Sequence, residues 1–417
     1  MNTAQAALAI AERLLDPQRV AAAAPTHAIA TLADGLPGTA LLHARLSTID
    51  PVFADAARAH WTAAAQQARP GAFQGAGVYG ATGGLTASLV LGSAYLPDPK
   101  IIAKTTDRSI SWLSARAIEV ATQYVNLVQT GNSETSWYTY DAISGLAGIG
   151  RILLAASVDG SPSAEPGLVA ALTAMTTMLT DRGRPQPGWW VPTEKHPSIA
   201  AARLDHTGAA DTGLAHGVAG PLAFLSLAHS AGRTITGQLT AIRDAANWLE
   251  RWRTDDGGWP GHVSGSELTD GANVTSQHGR RTAWCYGTPG IVRSLIHAAS
   301  ALSDPVLAET ALADLGRLDQ AYTGWDAEGP TLCHGHAGVL RCATGIDNVV
   351  AEHAAAKVEK SIECDRPFLV AHVQHGTRRD NPGFLTGAAG VALALSELAE
   401  IPSPPVRTTW DALLLVA

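Results

Sequence analysis

Seven Gly-x-x-Gly segments recur along this chain, and a recurring element of that kind constrains the architecture more than any other feature. They are Gly35-Leu-Pro-Gly38, Gly80-Ala-Thr-Gly83, Gly145-Leu-Ala-Gly148, Gly217-Val-Ala-Gly220, Gly287-Thr-Pro-Gly290, Gly335-His-Ala-Gly338 and Gly387-Ala-Ala-Gly390. The second glycines are separated by 45, 65, 72, 70, 48 and 52 residues, each interval long enough for one helical hairpin. The residues after each pair are small and apolar all round, as in Pro221-Leu-Ala-Phe-Leu-Ser-Leu-Ala228 and Val391-Ala-Leu-Ala-Leu395, which describes helices with no solvent face. Between them lie amphipathic stretches: Leu239, Ile242, Ala246 and Leu249 mark one face at helical spacing, and Leu307, Ala311, Leu315 and Leu318 mark another. Asp304-Pro305 opens the second with an N-cap and a proline at the first helical position. Inner and outer helices alternating seven times predict an all-α fold, an α/α toroid of seven hairpins in one domain spanning residues 1–417. Residues 181–212 break the pattern with turn formers around Trp189 and Trp190, and read as an inserted hairpin or small lobe, its tryptophans packed on the rim. Strand is expected only there. Residues 255–262, around Trp259, read as a loop.

Composition excludes several classes of function. A net charge of −8 without a basic block argues against a nucleic-acid partner. No apolar run reaches membrane-spanning length, and Glu12, Arg13, Asp16 and Arg19 make the N-terminal stretch an amphipathic helix rather than a signal peptide. The four cysteines, Cys285, Cys333, Cys342 and Cys364, are too scattered for a disulfide framework, so a reducing, cytoplasmic setting is expected.

Two of those cysteines carry the chemical signal. Cys285 and Cys333 each stand two residues before the first glycine of their repeat, so superposed repeats bring the sulfurs together. With His334 they make a Cys₂His set, which suits one Zn²⁺ per chain and leaves the fourth tetrahedral position for water or substrate. His336 is the alternative imidazole. Cys342 and Cys364 are expected to be structural thiols, and His206, His262 and His278 loop histidines. His216 is within two residues of its repeat glycine and Asp141 four before Gly145, so one mouth, at the start of the inner helices, gathers zinc, His216, Asp141 and Arg281. The helix dipoles there favour thiolate over thiol.

In these motifs the chain resembles the lanthionine synthetase C-like family, the cyclases of class I lanthipeptide biosynthesis, over essentially its whole length. The resemblance implies zinc ligands Cys285, Cys333 and His334, and catalytic residues His216, Asp141, Arg281 and Tyr286; it also prefers Arg281 to its neighbour Arg280. It implies the substrate, a dehydrated lanthipeptide precursor with leader and core, and as further partners a dehydratase and an ABC exporter, through which the protein would associate with the membrane. The expected reaction adds a substrate cysteine thiol to dehydroalanine or dehydrobutyrine, forming a (methyl)lanthionine thioether. His216 would protonate the α-carbon, Asp141 would fix its tautomer, and Arg281 would stabilise enolate charge. Tyr286 is a hydrogen-bonding alternative with an equally plain packing role. Prenyltransferases and terpene cyclases share the architecture, but their zinc-bound aspartate or acidic motifs have no counterpart at a suitable repeat position. A glycoside hydrolase would want two carboxylates in the mouth, where only Asp141 is evident. The remaining competitor is a relative that binds glutathione or peptide without forming rings.

Overall fold

The computed structural model describes residues 1–68, 77–130, 135–183, 185–196, 207–271, 281–320 and 324–417, with Gln320 by its backbone alone. His206, His278 and Arg280 lie outside these residues. Seven inner helices come directly after the seven glycine pairs begin: Leu36–Leu46, Ala81–Ser93, Leu146–Val158, Ala219–Ser230, Thr288–Leu302, His336–Ala343 and Ala388–Leu398. In six of them the first repeat glycine is the N-cap residue, and in the fourth the cap is Val218, one residue later. The inner helices lack a solvent face, as their apolar runs require: every residue from Leu146 to Ser157 is buried.

A circle of backbone hydrogen bonds ties the helix entrances together. Ala142 N–H donates to Ala215 O at 3.0 Å, Ala215 to Cys285 at 3.1 Å, Cys285 to Cys333 at 3.1 Å, Cys333 to Leu385 at 2.9 Å, Leu385 to Ala33 at 2.8 Å, and Ala33 to Tyr79 at 3.4 Å. These six links join points beside all seven glycine pairs around one axis, a circle open among the described residues between Tyr79 and the third repeat, and so define the α/α toroid. The second glycine of each pair is where neighbouring repeats meet. A Cβ on Gly338 would stand 3.0 Å from Cβ of Trp284 in the preceding repeat and run into the carbonyl of Leu332. In the second repeat this place falls one residue later than the spacing predicts, on Gly84, which packs against Leu32.

Outer helices Pro51–Gln67, Ala103–Gln129, Glu165–Thr180, Gln238–Arg251, Pro305–Gln320 and Asn348–Lys360 each pack on the inner helix before them. The seventh pairing departs from simple alternation. The helix covering Ala388–Leu398 is the N-terminal one, Thr3–Arg13, which opens with an Asn2–Gln5 capping box and buries Ala6, Ala7, Ile10 and Ala11. The chain after Leu398 instead enters the axis. Trp410–Leu414 forms a 3₁₀ turn, and residues Trp410 to Val416 are all buried. Tyr79 OH and Trp284 Nε1 donate to the carbonyls of Leu413 and Leu414, both at 2.8 Å, Arg293 Nε donates to Val416 O at 2.7 Å, and Arg341 pairs with Asp411.

On the outer face of Gln238–Arg251 the expected stripe needs one correction: Ile242, Ala246 and Leu249 are buried, but Leu239 is 44% exposed. Gln238 takes the inward place because its side chain donates to Leu225 O and accepts from Ile235 N–H, both at 2.9 Å. Strand is not confined to the 181–212 segment. Ala209–Asp211 pairs antiparallel with His262–Ser264 from the following loop, and a hairpin joins His372–Gln374 to Thr377–Arg379. Among the described residues of the segment itself the pairing is a single bridge between Val191 and Ala209, and Trp189 and Trp190 are buried. Among the described residues no helix is long and apolar enough to cross a membrane.

Candidate active site

The short helix Trp137–Tyr140 delivers Asp141 to the start of the third inner helix. There Asp141 Oδ1 accepts three backbone N–H groups, from Ile143 at 3.0 Å, Ser144 at 2.6 Å and Gly145 at 2.8 Å, which would otherwise be orphan donors of the helix entrance. Its other oxygen, Oδ2, meets His216 Nδ1 at 2.6 Å. A carboxylate oxygen accepts, so Nδ1 carries the proton and Nε2 is the nitrogen left for chemistry. Tyr140 OH donates to the His216 carbonyl at 2.9 Å, which fixes the backbone beneath the ring. Burial pulls the His216 pKa down, but the hydrogen bond and charge of Asp141, with the charges of Asp211 and Cys285, outweigh it and leave the pKa above the usual value. The side chain retains 26% exposure, while that of Asp141 has none.

Two features of this corner were not legible in the sequence. The Trp137 indole lies on the His216 imidazole with centroids 4.1 Å apart and 16° between planes. Asp211, last residue of its strand, is a second buried carboxyl: Oδ2 accepts Trp137 Nε1–H at 2.9 Å. Burial pushes the Asp211 carboxyl up to about 7, despite the hydrogen bond from Trp137, the charge of His216 and the Tyr286 phenol, and the charge of Asp141 adds to the rise. The mouth therefore holds two carboxyls where one was expected. The signal was faint: Asp211 sits five residues before His216, outside the repeat pair, and only the strand pairing turns it inward.

Across the same mouth, the backbone circle sets Cys285 beside Cys333, as the matching repeat positions require. The neighbouring Cys333 thiol lowers the Cys285 pKa against the cost of burial, helped by the charges of Arg281 and His216, while Cys333 is pushed up by Cys285 and by burial. Gly287, two residues beyond Cys285, has φ +111°, and a Cβ there would overlap the Arg281 carbonyl, so glycine is required for this turn. Arg281 faces Glu328 at 3.8 Å, a long pair. His334 Nε2 lies 3.1 Å from Val373 O, and its ring meets His372 edge to face at 5.1 Å. Burial, followed by His372, lowers its pKa.

Among the described residues no group of three or more His, Cys, Asp or Glu side chains converges as a metal-ligand set. Of the expected ligands Cys285 and Cys333 are together, and His334 is tied to them through the chain. The donor chemistry nevertheless suits zinc: two thiols on backbone-paired cysteines, one with a lowered pKa, and an imidazole whose Nε2 must hold its proton for a carbonyl acceptor, leaving Nδ1 with a lone pair. His336 Nδ1 is instead 2.7 Å from Gly329 O and its ring stacks on Trp325. Cys342 is buried, its pKa pushed up to about 12 by burial, and Cys364 is exposed. His262 lies in the strand paired with Asp211.

A seven-hairpin α/α toroid whose mouth carries a cysteine pair and a His–Asp pair defines a narrow class of protein. The chain belongs to the lanthionine synthetase C-like family, whose model, "Lanthionine synthetase C-like protein", matches residues 28–414. Nisin biosynthesis protein NisC of Lactococcus lactis subsp. lactis is 24% identical over 263 residues, an alignment that takes in 62% of this chain and 60% of that protein. The solved structure of nisin cyclase superposes with a TM-score of 0.74 at 21% identity, covering 94% of this chain and 93% of that one, and shows the same fold.

Proposed function

We propose that this chain is a lanthionine synthetase that closes thioether rings in a dehydrated precursor peptide. The observation that carries the reading is the pairing of His216 Nδ1 with Asp141 at 2.6 Å in the mouth that also holds Cys285 and Cys333. Zinc held by Cys285, Cys333 and His334 would lower the pKa of a substrate thiol, so that a nucleophile forms near neutral pH. Addition of that sulfur to the β-carbon of dehydroalanine or dehydrobutyrine leaves an enolate, which must take a proton at the α-carbon. Asp141 commits Nδ1–H of His216 to a hydrogen bond, so the proton is delivered from Nε2, and the carboxylate beside the ring favours its protonated form. Overall the reaction is proton-neutral: the thiol gives up one proton and the α-carbon gains one. Arg281, whose pair with Glu328 is long, can turn its guanidinium to the enolate oxygen. Tyr286, whose ring lies 6.3 Å from the imidazole, forms part of the wall beside it. This reading supposes a dehydratase that supplies the substrate and a cytoplasmic location, with an exporter downstream.

The test is direct. Zinc-loaded protein is incubated with a dehydrated, cysteine-containing precursor, and free thiols are counted by alkylation and mass spectrometry, since ring closure consumes a thiol without changing peptide mass. Loss of alkylation sites supports the reading. Untouched thiols in every dehydrated peptide tried, with glutathione retained by the protein, would move the non-catalytic relative ahead.

A further inference from the structure

Asp211 and Trp137 are built into the mouth, yet thiol addition and proton transfer call on neither. Asp211 is buried at the end of its strand and accepts a hydrogen bond from Trp137 Nε1 at 2.9 Å. Two rings neighbour the His216 imidazole: Trp137 stacks at 4.1 Å, and Tyr286 lies 6.3 Å away at 38°. His196, from the same 181–212 segment as Asp211, meets Trp137 edge-on at 5.4 Å. One carboxyl therefore fixes the indole that stacks on the imidazole. The Asp141 bond holds a single ring atom, Nδ1, and by itself leaves the imidazole free to swing about that contact, moving Nε2. A parallel indole at stacking distance removes that freedom, and it also favours the cationic ring.

We infer that Asp211 is a positioning residue of the ring-forming reaction, holding Trp137 against His216 so that the imidazole keeps one plane and Nε2 one direction. The inference rests on the reading of His216 as the proton-transfer residue. It also gives the 181–212 segment a task, since Asp211 and His196 bring it into the wall of the mouth. The other titratable groups around the imidazole are Asp141, Tyr140 and Cys285.

The variants are Asp211→Asn, which keeps the shape but can accept on only one atom, and Trp137→Phe, which keeps a stacked ring and loses its hydrogen bond to Asp211. Both are made in the full, zinc-loaded chain, with thermal unfolding to verify folding. Three readouts apply: the rate of His216 modification by diethyl pyrocarbonate, followed by peptide mass spectrometry; the emission of Trp137, as the difference from Trp137→Phe; and cyclisation kinetics. In Asp211→Asn, His216 should be modified several-fold faster, Trp137 emission should rise as the stack loosens, and kcat should fall about tenfold with KM little changed. Trp137→Phe should show a smaller rise in modification. Wild-type modification rate and emission in folded Asp211→Asn would overturn the inference. If the wild type closes no rings, the functional reading fails, while the first two readouts still judge the brace by themselves.

Discussion

The mouth of the toroid and its axis are made from the same seven repeats, and they use them in opposite ways. At the mouth, the positions preceding the repeat glycines carry Asp141, His216, Cys285 and Cys333, polar groups that meet across neighbouring repeats. Along the axis, Tyr79 and Trp284 close on the buried tail Trp410–Val416 through hydrogen bonds to its carbonyls. Consecutive residues of one repeat take the two roles: Trp284 packs on the tail while Cys285 meets Cys333 at the mouth. Mutations at the two places should therefore separate activity from stability.

The sharpest break in that comparison is metal. Purified protein should contain about one equivalent of zinc, and Cys285→Ala should lose both metal and ring closure, as a missing ligand couples to both. Full metal retention in Cys285→Ala would remove the cysteine pair from the proposed site. Next in size, His216→Ala should keep its zinc and its melting temperature but slow cyclisation by about 10²- to 10⁴-fold, the usual contribution of a positioned acid–base group. Asp141→Asn should cost less, about tenfold, because water can replace part of an orienting hydrogen bond. Wild-type cyclisation in His216→Ala would show that the proton comes from elsewhere.

At the axis the order reverses. Trp410→Ala should destabilise the fold by about 3–5 kcal/mol, the cost of emptying a buried tryptophan site, while kcat of the remaining folded protein stays near wild type. Denaturant titration beside single-turnover kinetics reads both quantities, and a kcat loss as large as that of His216→Ala would show that plug and mouth are mechanically one.

The smallest effect is acid stability of the scaffold. His43 is held neutral by burial and by the charge of His60, its pKa down to about 3, and burial brings His60 to about 4. Their ring nitrogens reach Ala11 O and Leu15 O, at and just after the N-terminal helix that closes the outer ring. Both pKa values are depressed, so their contribution is complete above the unfolded value of about 6.5 and is lost as pH falls towards 4 and 3. The raised pKa of His216 has the opposite sign: its contribution is complete below about 6.5 and fades as pH rises through the folded value. Urea midpoints should therefore fall between pH 6.5 and 4, and His43→Leu should flatten that slope; an unchanged slope would count against this source of acid sensitivity.

Much of the molecule is legible in the chain. The glycine pairs, the apolar runs after them and the matched places of Cys285 and Cys333 expose the inner ring, because a repeat forces equivalent residues to equivalent heights. His216 and Asp141 are nameable for the same reason, each lying a few residues from its glycine. Asp211 and Trp137 are not, because they reach the mouth by a strand pairing and a four-residue helix outside the repeat.

By itself the sequence determined the periodic part of the protein: seven inner helices, six of them in hairpins with the outer helix that follows, glycines where helix ends crowd, and a cysteine pair at matched positions, all consequences of local spacing. Tertiary structure alone decided what periodicity cannot encode. It closed the outer ring with the N-terminal helix, sent the tail into the axis, moved the second repeat's packing glycine to Gly84 and set two carboxyls around one imidazole. Each of these depends on contacts between residues far apart in the chain, where no local rule fixes the partner and only the packed ring brings them into reach.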